Sequence, residues 1–251
     1  MSDPLRILIN GGPNVGKTRA IVETFPRPLH VVNAPGEKGG GWVARLAEPD
    51  LTVAVPADPL APAAKILDSI EKTILDTVKA GQVQTIAFEG LHKLMDYIMD
   101  LVTDGEYFKG LKPDWPMYSL CYHRANRFLD RILVNTTPVI VVTSWAKEKA
   151  SRKKQAGERQ EDIPLAVGPD LLGEYSRKVL GEFDVVLHQA LHKTDRTDKE
   201  GKRIYESRWQ TRPNERVVGC GIKGPRALVE AIPLYIPADF QTLQTYLKGP
   251  Q

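Results

Sequence analysis

"ILINGGPNVGKTRAIVETF", residues 7–25, decides the fold. Mostly apolar residues run into a glycine-rich turn, and a helix-like stretch follows Lys17 and Thr18. Its spacing is Gly11, four intervening residues, then Gly16-Lys17-Thr18, the pattern of a phosphate-binding loop. A strand that ends in such a turn and leads into a helix presents successive backbone N–H groups to an anion at the positive end of the helix dipole. Gly11 and Gly16 let the backbone curl, with Gly12, Pro13, Asn14 and Val15 completing the loop. Lys17 is placed to reach the β- and γ-phosphates, and the Thr18 hydroxyl to ligate Mg²⁺. ATP and Mg²⁺ are the expected ligands.

Outward from this stretch, short apolar runs recur at 5–10, 28–33, 83–89, 138–144 and 183–189. They are β-branched and apolar on both alternating positions, as strands covered on both faces should be. Helical patterns lie between several of them. Residues 62–80 set Ile66, Ile70, Ile74 and Val78 four apart on one face. Residues 117–134 carry Phe128, Leu129, Ile132 and Leu133 together with Arg124, Arg127 and Arg131, which read as a solvent or subunit-contact face. Strands alternating with helices predict a mainly parallel α/β sheet. The Pro- and Ala-rich residues 54–64 read as a connection within one domain spanning 1–251. Turn chemistry at Asp198 to Gly201, followed by "IYESRWQTRP", predicts an antiparallel hairpin after the last strand. Residues 146–162 are dense in charge without apolar periodicity and read as an extended loop.

Hydrolysis of a bound nucleotide needs a second carboxylate near the metal and a group that orients water. "TIAFE" ends an apolar run in Glu89, the expected Walker B acid, acting on the metal through water. Glu37 follows the second strand by a short Ala-Pro-Gly connection and is the expected base. The strand at 138–144 ends in Thr143 and Ser144, polar residues where a γ-phosphate sensor can lie.

The remaining composition narrows the class. At 251 residues with 42% hydrophobic, the chain can bury a sizeable core. Net charge of +3 is only mildly basic, so any nucleic-acid argument rests on local clusters. Two cysteines, Cys121 and Cys220, lack metal-ligand spacing and read as buried thiols of a reducing compartment. His188 and His192, four apart, straddle a strand-to-hairpin passage and do not read as a metal site. No apolar run approaches membrane-spanning length and no leader pattern opens the chain, so a cytoplasmic protein without membrane contact is expected.

The order of these segments, with "VIVVTSWAKEK" and "VGPDLLGEYSRKVLGEFDVVLH" following the acid-ended strand, resembles the phage-encoded RecA-like ATPases of the AAA_24 type. That group includes single-strand annealing and recombination proteins. The resemblance runs from about residue 5 to 245 and includes "GCGIKGPRALVEAIP", similar to the segment that ends the family's domain. It departs in having Glu89 where the family usually has Asp, and Asn33 with a displaced Glu37 where it has a close Asp and Glu. Trp145 stands where the family often has His, so no catalytic role is carried over to it.

The resemblance implies a homo-oligomer, ring or filament, with nucleotide between subunits and a basic side chain acting in trans. Lys223 and Arg226 are the implied candidates, with Arg208 and Arg212 as competitors. It also implies a single-stranded DNA partner. Lys147, Lys149, Arg152, Lys153, Lys154 and Arg159 are the candidate phosphate contacts, beside Trp145. Two other readings stay open. One is a nucleotide-kinase-type phosphotransferase in which residues 150–162 form a lid, and the other a non-hydrolysing nucleotide-binding assembly component. A packaging motor ATPase also shares the phosphate loop, but this sequence shows no nuclease-like domain, which places that reading lower.

Overall fold

The opening apolar run forms strand β1 (Leu5–Gly11), and the residues after the glycine-rich turn form helix α1 (Lys17–Thr24). The computed structural model describes residues 4–37, 39–46, 48–54, 61–133, 138–150, 165–172 and 175–249. Along the chain there follow β2 (Leu29–Asn33), α2 (Gly39–Val43), β3 (Leu51–Ala54), α3 (Ala63–Lys79), β4 (Thr85–Glu89) and α4 (Leu91–Val102). Next come α5 (Trp115–Leu133), β5 (Val139–Ala150), β6 (Leu165–Pro169), α6 (Tyr175–Lys178), β7 (Val185–Thr197) and β8 (Arg203–Gln210). The chain closes with β9 (Gly221–Ile222), α7 (Arg226–Ala231), β10 (Tyr235–Pro237) and α8 (Phe240–Lys248).

One sheet runs in the order β10-β8-β7-β1-β5-β4-β2-β3, with β6 on β5 and β9 on β7. The strands from β7 to β3 in that order are mutually parallel. Strands β8, β10, β6 and β9 join antiparallel. This is the mainly parallel α/β P-loop fold with an antiparallel C-terminal hairpin that the sequence predicts.

Alternation along β1 divides the core. Ile7 and Ile9 pack with α1 and α8 on one face, while Leu8 packs with α3, α4 and α5 on the other. The register sets Asn33 beside Glu89, Glu89 beside Thr143, and Gly11 beside Trp145. The carboxyl ends of these strands therefore share one edge, where open α/β sheets bind ligands. No helix among the described residues is long and apolar enough to cross a membrane.

Two expectations are corrected. Residues 146–150 are not loop: they extend β5 and pair with 165–169, because backbone pairing across the sequence gap outweighs their charge. The bond Asp170 N to Trp145 O (2.6 Å) closes that pairing at its base. The hairpin strand β7 runs on to Thr197, eight residues past the apolar run that ends at Gln189.

Candidate nucleotide site

The loop after β1 turns through Asn14 at φ 60° and is pressed against β7. A Cβ on Gly11 would lie 2.5 Å from the Gln189 carbonyl oxygen, so only glycine fits. The far side of the loop is anchored by side chains. Gln189 Nε2 donates to Val15 O (3.1 Å) and to Ser207 Oγ (2.6 Å), and Ser207 Oγ donates to Val15 O (2.9 Å). Buried Trp209 Nε1 donates to Gln189 Oε1 (2.9 Å) and fixes the amide orientation. Below the loop, Asn10 Nδ2 donates to Leu187 O (3.0 Å) and Gly219 O (2.8 Å), while its Oδ1 lies 2.8 Å from His188 Nδ1. Burial holds His188 down to about 4, so it is neutral.

Lys17 opens α1 and folds over the loop, its Nζ donating to Gly11 O (2.9 Å) and Gly12 O (2.8 Å). Burial lowers its pKa to about 8, against the upward pull of Glu89 and Glu37. Glu89 ends β4 at 3% exposure, and Thr18 hydrogen-bonds its carboxyl. Burial raises the Glu89 pKa to about 7; the Thr18 bond and Lys17 oppose that rise and Glu37 adds to it.

Glu37 reaches the same place by a tight turn. Ala34 N bonds Glu89 O (2.8 Å), Gly36 sits at φ 88°, and Glu37 N returns to Ala34 O (3.1 Å). Pro35 and Gly36 are the residues a type II turn requires at its two centres. Glu37 then lies over the β4–α4 junction, where a Cβ on Gly90 would stand 2.7 Å from Glu37 Cγ. Lys17, Thr18, Glu37, Glu89 and Thr143 all line one open cleft of about 820 Å³, together with Trp42 and Trp145.

Mg²⁺ suits this donor set. It is commonly held by one or two carboxylates together with substrate phosphates. Thr18 and Glu89 supply oxygen, and Asn33, beside Glu89 in the register, is fully buried with neither amide atom bonded to another of the described residues. Among the described residues no cluster of three His, Cys, Asp or Glu could hold a metal without such help.

The other expected residues scatter. Thr143 Oγ1 accepts from Gly90 N (3.3 Å) at the cleft, whereas Ser144 is fully buried and donates to Trp145 O (3.1 Å). Lys223 N bonds Asp184 O (2.8 Å), and Asp184 N bonds Arg6 O (2.9 Å) at the start of β1. Lys223 thus lies at the sheet end opposite the loop, with Arg226 three residues on and paired to Glu230 (2.6 Å). Neither lines the cleft of its own chain. Arg208 lies 3.4 Å from Glu206 on β8, and Arg212 follows that strand, its carbonyl accepting from Gln210 Nε2 (2.7 Å). Lys147 lies 3.7 Å from Asp170, and Lys149 is in β5. Arg152, Lys153, Lys154 and Arg159 lie outside the described residues. Arg124, Arg127 and Arg131 line a separate groove between α3, α4 and α5.

Sequence reading missed Gln189, Ser207, Trp209 and His92. Polar residues closing apolar strand runs were the only hint, and it does not say which loop they hold.

A parallel sheet with a phosphate loop after β1 and a buried acid at the end of β4 defines a P-loop ATPase domain. Residues 3–219 match the AAA_24 family, described as an AAA domain, and the chain belongs to that family. No curated protein matches it. Among solved structures, it is similar to a prototypical ATPase from the type III secretion system of pathogenic bacteria. The identity there is 14%, the TM-score 0.46, and the match covers 74% of this chain and 51% of that one. The assembled ATPase EscN of enteropathogenic E. coli matches at 14% identity and TM-score 0.45, over 74% of this chain and 43% of that one. EscN in complex with its central stalk EscO matches at 14% and 0.44, over 76% and 43%. The chain spans about half or less of these proteins' lengths.

Proposed function

We propose that this chain is a Mg²⁺-dependent ATPase of phage DNA recombination or replication, acting in the cytoplasm as one domain. In this reading it binds single-stranded DNA and assembles into a homo-oligomer with ATP between subunits. The observation that carries the reading is the convergence of Lys17, Thr18, Glu89 and Glu37 on one cleft.

The loop N–H groups and the start of α1 receive the phosphates, and the Lys17 ammonium leaves Gly11 O and Gly12 O for phosphate oxygens. Thr18 and Glu89 would hold Mg²⁺, which when bound neutralises charge on the β- and γ-phosphate oxygens. Glu37 orients a water and takes its proton as the water oxygen bonds to the γ-phosphorus. The bond to the β–γ bridging oxygen breaks, leaving ADP and inorganic phosphate. Thr143 lies at the cleft as a γ-phosphate contact. Lys223 and Arg226, remote from their own cleft, suit a role toward a neighbour's nucleotide. DNA binding is supported by the β5–β6 ribbon, which carries Lys147 and starts at the half-exposed Trp145.

ATP hydrolysis by the purified protein, with and without single-stranded DNA and with Lys17→Ala as background, tests the reading. Hydrolysis that DNA stimulates and Lys17→Ala abolishes is expected. Hydrolysis indifferent to DNA removes the DNA-coupled part, and tight ATP binding without turnover removes the hydrolytic part.

A further inference from the structure

We propose that His92 is a positioning residue for Glu37, and that Trp145 in turn fixes His92, so that β5, where its ribbon with β6 begins, sets the orientation of the water-binding carboxylate. The inference rests on the reading of Glu37 as the group that orients water. His92 is the second residue of α4, 7% exposed. Its Nε2 lies 3.0 Å from Glu37 Oε1. The two atoms are close but poorly aligned, so both are buried without a completed hydrogen bond among the described residues. On the other side of the ring, Trp145 N donates to Nδ1 at 3.4 Å. A neutral imidazole whose Nδ1 accepts carries its proton on Nε2, the nitrogen that faces Glu37.

Trp145 does more than donate. Its indole stacks on the His92 ring at 4.6 Å between centroids and 24° between planes, which fixes the ring plane as well as its tautomer. Glu37 can come within reach of His92 only because Gly90 has no side chain in the way. A buried carboxylate oxygen left without a bond is costly, so a small turn of either group that closes the contact is favoured. His92 is not among the described residues lining the nucleotide cleft, so it acts through Glu37. Because Trp145 also accepts from Asp170 at the base of the β5–β6 ribbon, the ribbon and Glu37 share one chain of contacts.

The test uses the full chain with His92→Ala, His92→Gln and Trp145→Ala. Each is measured for ATP turnover, for affinity toward a fluorescent ATP analogue, and for thermal melting. His92→Ala is expected to lower kcat by roughly 10- to 100-fold, the cost of a misplaced catalytic group, with analogue affinity unchanged. Trp145→Ala moves kcat in the same direction. His92→Gln, whose amide N–H can stand in for Nε2–H, recovers a large part. A His92→Ala kcat within about two-fold of the unmodified chain, or a loss matched by equal loss of analogue affinity, overturns the inference. So does a glutamine variant no better than alanine when both melt like the parent. A parent chain that binds the analogue but never turns over ATP refutes the hydrolytic reading and the role of Glu37 with it. An active parent with indifferent His92 variants refutes this inference alone.

Discussion

Replacing Gln189 with Leu tests whether the hairpin strands hold the phosphate loop. The side chain is fully buried and makes three hydrogen bonds, to Val15 O, to Ser207 Oγ and from Trp209 Nε1. Leucine fills a similar volume and removes all three. Val15 O and Ser207 Oγ keep their bond to each other, so their loss is the net value of a hydrogen bond each, about 0.5–1.5 kcal/mol. Trp209 Nε1 is left as a buried donor without its acceptor, costing about 1–3 kcal/mol. The expected destabilisation is therefore about 2–6 kcal/mol, a fall in Tm of roughly 4–24 °C for a chain of this size. Trp209→Phe removes the donor instead and orphans Gln189 Oε1. The double variant orphans neither, so it should be less unstable than the sum by about 1–2 kcal/mol. Calorimetry and urea unfolding of the four proteins give the cycle, and titration with a fluorescent ATP analogue reports the loop. ATP affinity should weaken in Gln189→Leu, because Val15 then hangs on Ser207 alone. A single variant within about 0.5 kcal/mol of the parent, or an additive cycle, refutes the argument.

Lys17 must be charged to pair with phosphates, and its pKa in the free site is about 8. Bound phosphates favour the ammonium and raise that pKa. ATP affinity is then fully present below pH 8 and falls as pH rises through it, by roughly ten-fold from about pH 7 to about pH 9. Lys17→Arg should flatten this profile, and an affinity unchanged at the alkaline end of equilibrium titrations contradicts the assignment. Gly11→Ala places a methyl 2.5 Å from Gln189 O and 3.1 Å from Val15 Cγ2. Overpacking of about 1–3 kcal/mol and loss of analogue binding are expected, and normal melting with normal binding would show that β7 does not confine the loop. Lys153→Ala with Lys154→Ala should weaken single-stranded DNA binding and reduce its salt slope by roughly 0.7 per lost phosphate contact. Unchanged isotherms across salt would remove residues 150–162 from the DNA path.

What could be read from the sequence is what is contiguous. Eight residues in a row carry the phosphate loop, and each β-branched run marks a strand because both its faces are buried. Helix α4 escaped notice although Leu91, Leu94, Met95, Ile98 and Met99 follow a helical period, because a single residue, Gly90, separates it from β4. Strand β3 is only four residues and sits at the sheet edge, too short for alternation to show. The Gln189, Ser207 and Trp209 anchor was illegible for a different reason. Its members meet the loop only through the β1–β7 and β7–β8 registers, and no local pattern encodes a register across more than a hundred residues.

The displaced glutamate shows how far spacing can mislead. By sequence, Glu37 is four residues beyond the end of β2, and Asn33 occupies the strand position an acid would take. In space the separation closes. Ala34 continues the ladder onto Glu89 O, Pro35 and Gly36 reverse the chain, and Glu37 lands against Gly90 with His92 at 3.0 Å. A side chain carried on a turn has more freedom than one carried on a strand, so the base proposed at Glu37 needs an additional hold. His92 and Trp145 are placed to supply it, and Trp145 is, with Glu89, a further position at which the sequence departs from the pattern it resembles. The displaced Glu37 and Trp145 are thus linked through one imidazole ring. In the proposed mechanism, the carboxylate on the turn is braced by the imidazole and the imidazole by the indole stacked on it.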